Sequence, residues 1–187
     1  MGVTSKYTRA HSMVGFNPEG RPDHDFYPTP RRGTEQLLQV EKFNENVWEC
    51  ACGDGSMSSV LEDFGYNVIT SDLFPRNCGF ELDFLTSNEL LAPDIITNPP
   101  FRFSLQFLEH ALDLGVEKLA LLNKIQFLEG IKRSLVVEST PLKKVWVFRK
   151  RLTIMREGSI PKGGGMMTYA WFIWEKNYVG SPTIGWI

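Results

Sequence analysis

Asn98, Pro99, Pro100 and Phe101 follow the apolar run Asp94-Ile95-Ile96, so an amide, two rigid imino acids and an aromatic ring stand together at the end of a candidate strand. Neither proline can donate to a strand ladder, and Pro100 holds Pro99 extended. The carbonyls of Asn98 and Pro99 can then project from the carboxyl edge of a sheet, where α/β folds bind ligands. A simple strand terminator accounts for the prolines, but not for the amide before them and the ring after. A second candidate is the turn Glu49-Cys50-Ala51-Cys52-Gly53-Asp54-Gly55. Gly53 and Gly55 permit close approach of a ligand to the backbone beside a helix N-terminus. Seventeen residues past Gly55, Asp72 is placed to accept hydrogen bonds from a ribose diol. Ser58 stands where the dinucleotide fingerprint has its third glycine, which disfavours a pyrophosphate cofactor such as NAD.

These residues need a frame, and the pattern supplies one. Residues 46–50 read as a strand, 56–65 as a helix and 67–72 as a strand; in the helix Met57, Val60, Leu61 and Phe64 line one apolar face and Gly65 stops it. The alternation continues with a strand at 94–98, an amphipathic helix at 103–115 and a strand at 117–123. Strand, helix and strand units of this size imply parallel pairing and a doubly wound α/β architecture. Two late segments, 144–154 and 167–176, are rich in β-branched and aromatic residues and read as a terminal antiparallel pair. Residues 1–25 show neither period and read as a flexible arm, leaving 26–187 as a single domain.

Composition sets limits. The 187 residues, 42% hydrophobic, suffice for one core, and a formal charge of −2 excludes polyanion binding through bulk charge. No apolar stretch approaches the roughly 18 residues needed to span a bilayer, and the polar start lacks the apolar core of a signal peptide. The expectation is a cytoplasmic protein without membrane attachment. Three cysteines and three scattered histidines offer neither a disulfide framework nor metal-ligand spacing, so no metal is expected. The charge is unevenly spread. Lys143, Lys144, Arg149, Lys150, Arg151, Arg156 and Lys162 face one acid, Glu157, giving that stretch +6 and the rest of the chain −8. A local basic segment on an acidic protein is the distribution expected of a nucleic-acid surface.

From Phe26 to Lys176, the order and spacing of these segments resemble the class I S-adenosylmethionine-dependent methyltransferases that methylate amino groups. In particular they resemble the N6-adenine DNA methyltransferases, whose motif reads Asn-Pro-Pro-Phe or Asn-Pro-Pro-Tyr. The resemblance implies a Rossmann-like class I methyltransferase fold: a doubly wound, mostly parallel seven-stranded sheet with an antiparallel terminal pair. It implies S-adenosyl-L-methionine as cofactor, its methionine and ribose held by Glu49, Cys50, Ala51, Gly53 and Gly55. Asp72 would bind the ribose hydroxyls, and Leu73 would lie on the adenine ring. Asp83 would accept from the cofactor's adenine amine with Phe84 as its aromatic neighbour. Tyr27, Thr29 and Pro30, in Phe26-Tyr27-Pro28-Thr29-Pro30, would close over the methionine end, where Asn98 also lies.

The chemistry such a family performs suits these residue types. An adenine amino group is a poor nucleophile because its lone pair is delocalised. The side-chain oxygen of Asn98 and the carbonyl of Pro99 would accept its two N–H bonds, turn the nitrogen toward tetrahedral geometry and disperse the developing positive charge. Pro100 keeps that segment rigid and Phe101 would stack on the base, flipped out first if the substrate is duplex. DNA is the expected partner, with RNA as an alternative. Only eleven residues follow Lys176, so sequence readout is expected to be loop-based or supplied by a separate specificity partner or second copy, as in compact phage-encoded enzymes. Other readings are methylation of RNA adenine, cytosine N4 or protein glutamine, or a non-catalytic nucleic-acid-binding protein on a degenerate fold.

Overall fold

Alternate side chains along the central strands feed two separate hydrophobic layers, and this organises the whole chain. In the computed structural model, which describes residues 26–154 and 167–187, strand β5 (Lys118–Lys124) sends Leu119 and Leu121 to one face and Ala120 and Leu122 to the other. Strand β7 (Tyr169–Glu175) does the same, with Phe172 and Trp174 opposite Trp171 and Ile173. The period of two on a doubly covered sheet explains why both strands read as continuous apolar runs.

Before β5, the elements are α1 (Arg31–Val40), β1 (Asn46–Glu49), α2 (Ser58–Asp63), β2 (Asn67–Asp72), β3 (Phe80–Glu81), β4 (Asp94–Thr97) and α3 (Ser104–Asp113). After it come α4 (Ile131–Glu138), β6 (Leu142–Val147), β7 and β8 (Thr183–Trp186). The sheet order is β3-β2-β1-β4-β5-β7-β6-β8. β7 runs antiparallel between β5 and β6, and all other neighbours are parallel. Leu37 and Leu38 of α1 and Val60 and Leu61 of α2 pack on one face; Phe107, Leu108 and Ala111 of α3 and Val137 of α4 pack on the other.

The doubly wound, mostly parallel sheet with its antiparallel pair is the expected architecture, with one correction. It has eight strands rather than seven, because β8 adds parallel to the outer edge of β6. Gly185 makes this pairing possible, since a Cβ there would overlap the ring of Trp146. The expected late strand at 144–154 ends at Val147. Beyond it Phe148, Leu152 and Ile154 leave the ladder and bury themselves in the layer that contains α1. Helices α1 and α4 were not expected. Residues 1–25, read as an arm, and part of the loop between β6 and β7 lie outside the described residues.

Trp171 ties α1 to the sheet: it is fully buried, and its indole N–H donates to the carbonyl of Gly33 at 2.9 Å. Trp171→Ala is expected to cost about 3–5 kcal/mol of stability, read by urea denaturation. A loss below about 1 kcal/mol would show that this side chain does not join helix to sheet.

Among the described residues, no helix is long and apolar enough to cross a membrane.

Candidate active site

The carboxyl ends of β1, β2 and β4 lie side by side, and each delivers one of the segments with chemical potential. After β1 the chain turns through Gly53, which sits at φ +54° with the ring of Phe26 against its Cα; a Cβ there would overlap that ring. Asp72, at the end of β2, holds the turn. Its carboxylate accepts the N–H of Gly53 at 2.8 Å through one oxygen and that of Phe74 at 2.8 Å through the other. Two backbone bonds fix the carboxylate's orientation and leave lone pairs for a ligand diol. Asp83 shapes the next loop by accepting the N–H of Leu85 at 3.0 Å. Phe84 packs edge-on against Trp48, with ring centroids 5.3 Å apart.

Asn98 is positioned from the opposite side. Its amide nitrogen donates to the carbonyl of Tyr27 at 3.3 Å and to the hydroxyl of Thr29 at 3.1 Å. A carbonyl can only accept, so these contacts direct the side-chain oxygen away from the Tyr27 loop. That oxygen is buried and has no hydrogen-bond partner among the described residues. An orphaned buried acceptor is costly to a fold unless a ligand or an ordered water supplies the donor. Beside it, Phe101 packs on Tyr27 and Tyr169, with ring centroids at 6.1 and 5.6 Å, and the ammonium of Lys124 lies 4.9 Å from its centroid.

These segments enclose a cavity of about 370 Å³. Of the residues expected from sequence, Tyr27, Thr29, Glu49, Cys50, Ala51, Asp72, Leu73, Asp83, Phe84, Asn98, Pro99, Pro100 and Phe101 line it. Pro30, Gly53 and Gly55 do not reach its wall; Pro30 leads into α1, and the glycines shape the turn behind it. The structure adds Phe26 and Arg76, the guanidinium resting 4.5 Å above the Phe26 ring, along with Met57, Phe74, Arg102 and Phe103. Arg76 lies in an irregular loop and has no local sequence signal. Phe26 stood in view at the head of Phe26-Tyr27-Pro28-Thr29-Pro30.

Three groups of the wall, Glu49, Cys50 and Cys52, are held in their neutral forms. Burial pushes the Glu49 carboxyl well above its ordinary range, against a hydrogen bond from the Ser58 hydroxyl, and the charges of Asp72 and Asp54 push it further. Burial likewise raises the thiols of Cys50 and Cys52, the latter helped by Cys78. Thiols held protonated are poor nucleophiles, which leaves covalent cysteine chemistry without support. For Glu49 the native state keeps a proton that the unfolded chain releases at ordinary carboxylate pH. Its stabilising contribution is therefore complete below the unfolded pKa and is lost as pH rises through the folded one. Glu49→Gln, which keeps the acceptor for Ser58, is expected to gain melting temperature over the parent increasingly as pH rises from 5 to 9. Parallel melting curves would contradict a buried, protonated Glu49.

The basic residues expected to bind nucleic acid are divided by the sheet. Lys143 and Lys144 begin β6 at the edge opposite the cavity, where Lys143 pairs with Glu175 at 2.6 Å and the Lys144 ammonium lies 4.5 Å from the Trp146 ring centroid. Arg149, Lys150 and Arg151 follow β6 at the cavity's edge of the sheet and are exposed. The guanidinium of Arg32 bonds the carbonyls of Lys150 and Arg151 at 3.1 and 3.0 Å. Arg156 and Lys162 lie outside the described residues. Among the described residues there is no cluster of three or more side chains able to hold a metal ion.

The sequence matches no family model and no curated protein. Solved structures do match. A protein classed as an RNA methyltransferase from Pyrococcus horikoshii is 15% identical, with a TM-score of 0.62 over 91% of this chain and 96% of its own. The 23S rRNA methyltransferase ErmE is 15% identical, with a TM-score of 0.57 over 81% of this chain and 70% of its own. Magnesium protoporphyrin IX methyltransferase from Synechocystis, solved with bound S-adenosylmethionine, is 13% identical, with a TM-score of 0.51 over 78% and 79%. At such identities the likeness concerns architecture, and the architecture is that of the Rossmann-like class I methyltransferases.

Proposed function

We propose that this chain, folded as a class I methyltransferase, transfers a methyl group from S-adenosylmethionine to the exocyclic N6 amine of adenine in DNA. The observation that carries the proposal is the buried, unpartnered side-chain oxygen of Asn98 in the wall of the cavity, directly before the rigid Pro99-Pro100 segment. The wall also suits the cofactor. Its volume is in the range of small-ligand sites, Asp72 retains acceptor capacity for a ribose diol, and Leu73 and Phe84 provide apolar surface for a purine. Glu49, Cys50 and Ala51 form the part of the wall that would face the methionine end. When bound, the cofactor supplies an activated methyl on a sulfonium, so the protein's task is alignment and electrostatics.

The residues divide that task. Tyr27 and Thr29 hold the Asn98 amide by its nitrogen, so its oxygen is free to accept an N–H from the acceptor amine. The Pro99 carbonyl accepts the second N–H. Together they localise the nitrogen lone pair and spread the positive charge that grows on it. Phe101, braced by Tyr27 and Tyr169, offers a platform for the base. Residues 26–187 serve as the catalytic domain, acting in the cytoplasm, with sequence selection from loops or a partner. Adenine in RNA is the second reading, favoured by the fold shared with ErmE, a 23S rRNA methyltransferase by name.

The test uses labelled methyl donor with DNA, RNA and protein in separate reactions, followed by digestion and identification of the product. Label in N6-methyladenine from DNA is the expected result, and label confined to RNA selects the second reading. Label in protein, or in no acceptor although the cofactor binds, overturns both.

A further inference from the structure

At the amino edge of the sheet Lys118 pairs with Glu41 at 2.6 Å and bonds the Lys42 carbonyl at 2.8 Å, and Lys143 pairs with Glu175, while Lys144 lies over the Trp146 ring. At the carboxyl edge Arg102 and Lys124 flank the acceptor motif and, among the described residues, neither has an ion pair. Each rests instead on an aromatic ring, Arg102 on Phe103 at 4.6 Å and Lys124 on Phe101 at 4.9 Å. Parallel pairing of β4 with β5, Thr97 opposite Leu121, brings the two from distant points in the sequence to the same end of the sheet.

We infer that Lys124 and Arg102 form a two-cation clamp for the phosphates on either side of the acceptor nucleotide, an inference that rests on the nucleic-acid reading above. Stacked rings sit with centroids about 4.5–7 Å apart, and the Lys124 ammonium occupies that shell over Phe101. A base that stacks on Phe101 must share the ring with this ammonium and displace it toward the base edge, where the sugar and phosphate lie. A lysine held over a ring gives up that contact for less than a charge-assisted bond to phosphate returns when partly desolvated. Arg102, exposed and next in sequence to Phe101, holds the adjoining phosphate, and its planar fork suits bidentate contact. Platform and flanking cations together are the arrangement by which proteins hold a single strand or an extruded nucleotide.

The test is fluorescence anisotropy of a labelled single-stranded DNA oligonucleotide containing adenine, titrated with Lys124→Met, Lys124→Arg, Arg102→Met and Lys143→Met over a range of salt. Lys124→Met and Arg102→Met are each expected to weaken binding about tenfold and to reduce the slope of log affinity against log salt by about one. Lys124→Arg should restore the slope, and Lys143→Met, at the opposite edge, should match the parent. Unchanged affinity and slope in both Met variants, or no binding by the parent protein, would overturn the clamp. The readout needs no turnover, so the clamp can hold even if no acceptor is methylated, and methylation of DNA with unchanged slopes would leave the function standing and remove the clamp.

Discussion

Asn98→Ala is expected to lower methyl transfer by at least about a hundredfold while cofactor affinity stays within about threefold, measured as kcat at saturating donor and as Kd by calorimetry. The magnitude follows from the usual loss when one preorganised group facing developing charge is removed. The asymmetry follows from the geometry. The amide nitrogen is engaged with Tyr27 and Thr29, whereas the oxygen is unpartnered, so substitution strips the acceptor from the nucleophile's side. The variant also loses two anchors of the Tyr27 loop, and its melting temperature must be followed. Asn98→Asp separates the effects: it keeps an acceptor oxygen but places a carboxylate oxygen against the Tyr27 carbonyl. If Asn98→Ala turned over at the parent rate, the proposed mechanism would be wrong.

Asp72→Ala carries the second large effect, this time on binding. Its two oxygens each take a backbone N–H, so the substitution frees the Gly53 turn and the Phe74 loop as well as removing the acceptor for the ribose. Losing charge-assisted hydrogen bonds worth about 1.5–3 kcal/mol weakens cofactor binding by about 10- to 150-fold. Turnover at saturating donor should fall by no more than about threefold, because the acceptor groups at Asn98 and Pro99 are carried by another strand. Loss of kcat with an unchanged Kd would place Asp72 among the reacting groups instead.

The edge of the sheet that lines the cavity was readable because its signals are local. A glycine turn after an apolar strand, an acid ending the next strand and a double proline ending β4 are each encoded within a few residues. What escaped depends on tertiary context. Helix α1 buries only Gly33, Thr34, Leu37 and Leu38, too narrow a stripe to announce itself. Helix α4 exposes Ile131 and Leu135 and buries only Val137, so its apolar residues misreport its inner face. Strand β8 is four residues long and depends on Gly185 lying under Trp146.

The basic segment is the opposite case: closeness in sequence suggests one surface, and β6 divides its described residues. Lys143 and Arg149 are separated by the length of β6, roughly 20 Å at about 3.3 Å per residue, and fall at opposite edges of the sheet. Lys124 shows the converse. Its proximity to the Asn98–Phe101 segment is created by the pairing of two strands, and no linear pattern reports it.

The most direct measurement uses a donor carrying a deuterated methyl group, with DNA as acceptor and mass spectrometry of the released nucleosides. The intact deuterated methyl should appear on N6 of deoxyadenosine with the parent protein and be absent with Asn98→Ala. Label on cytosine, unlabelled DNA despite bound donor, or equal labelling by the Asn98→Ala protein would contradict the assignment of this cavity to adenine methylation.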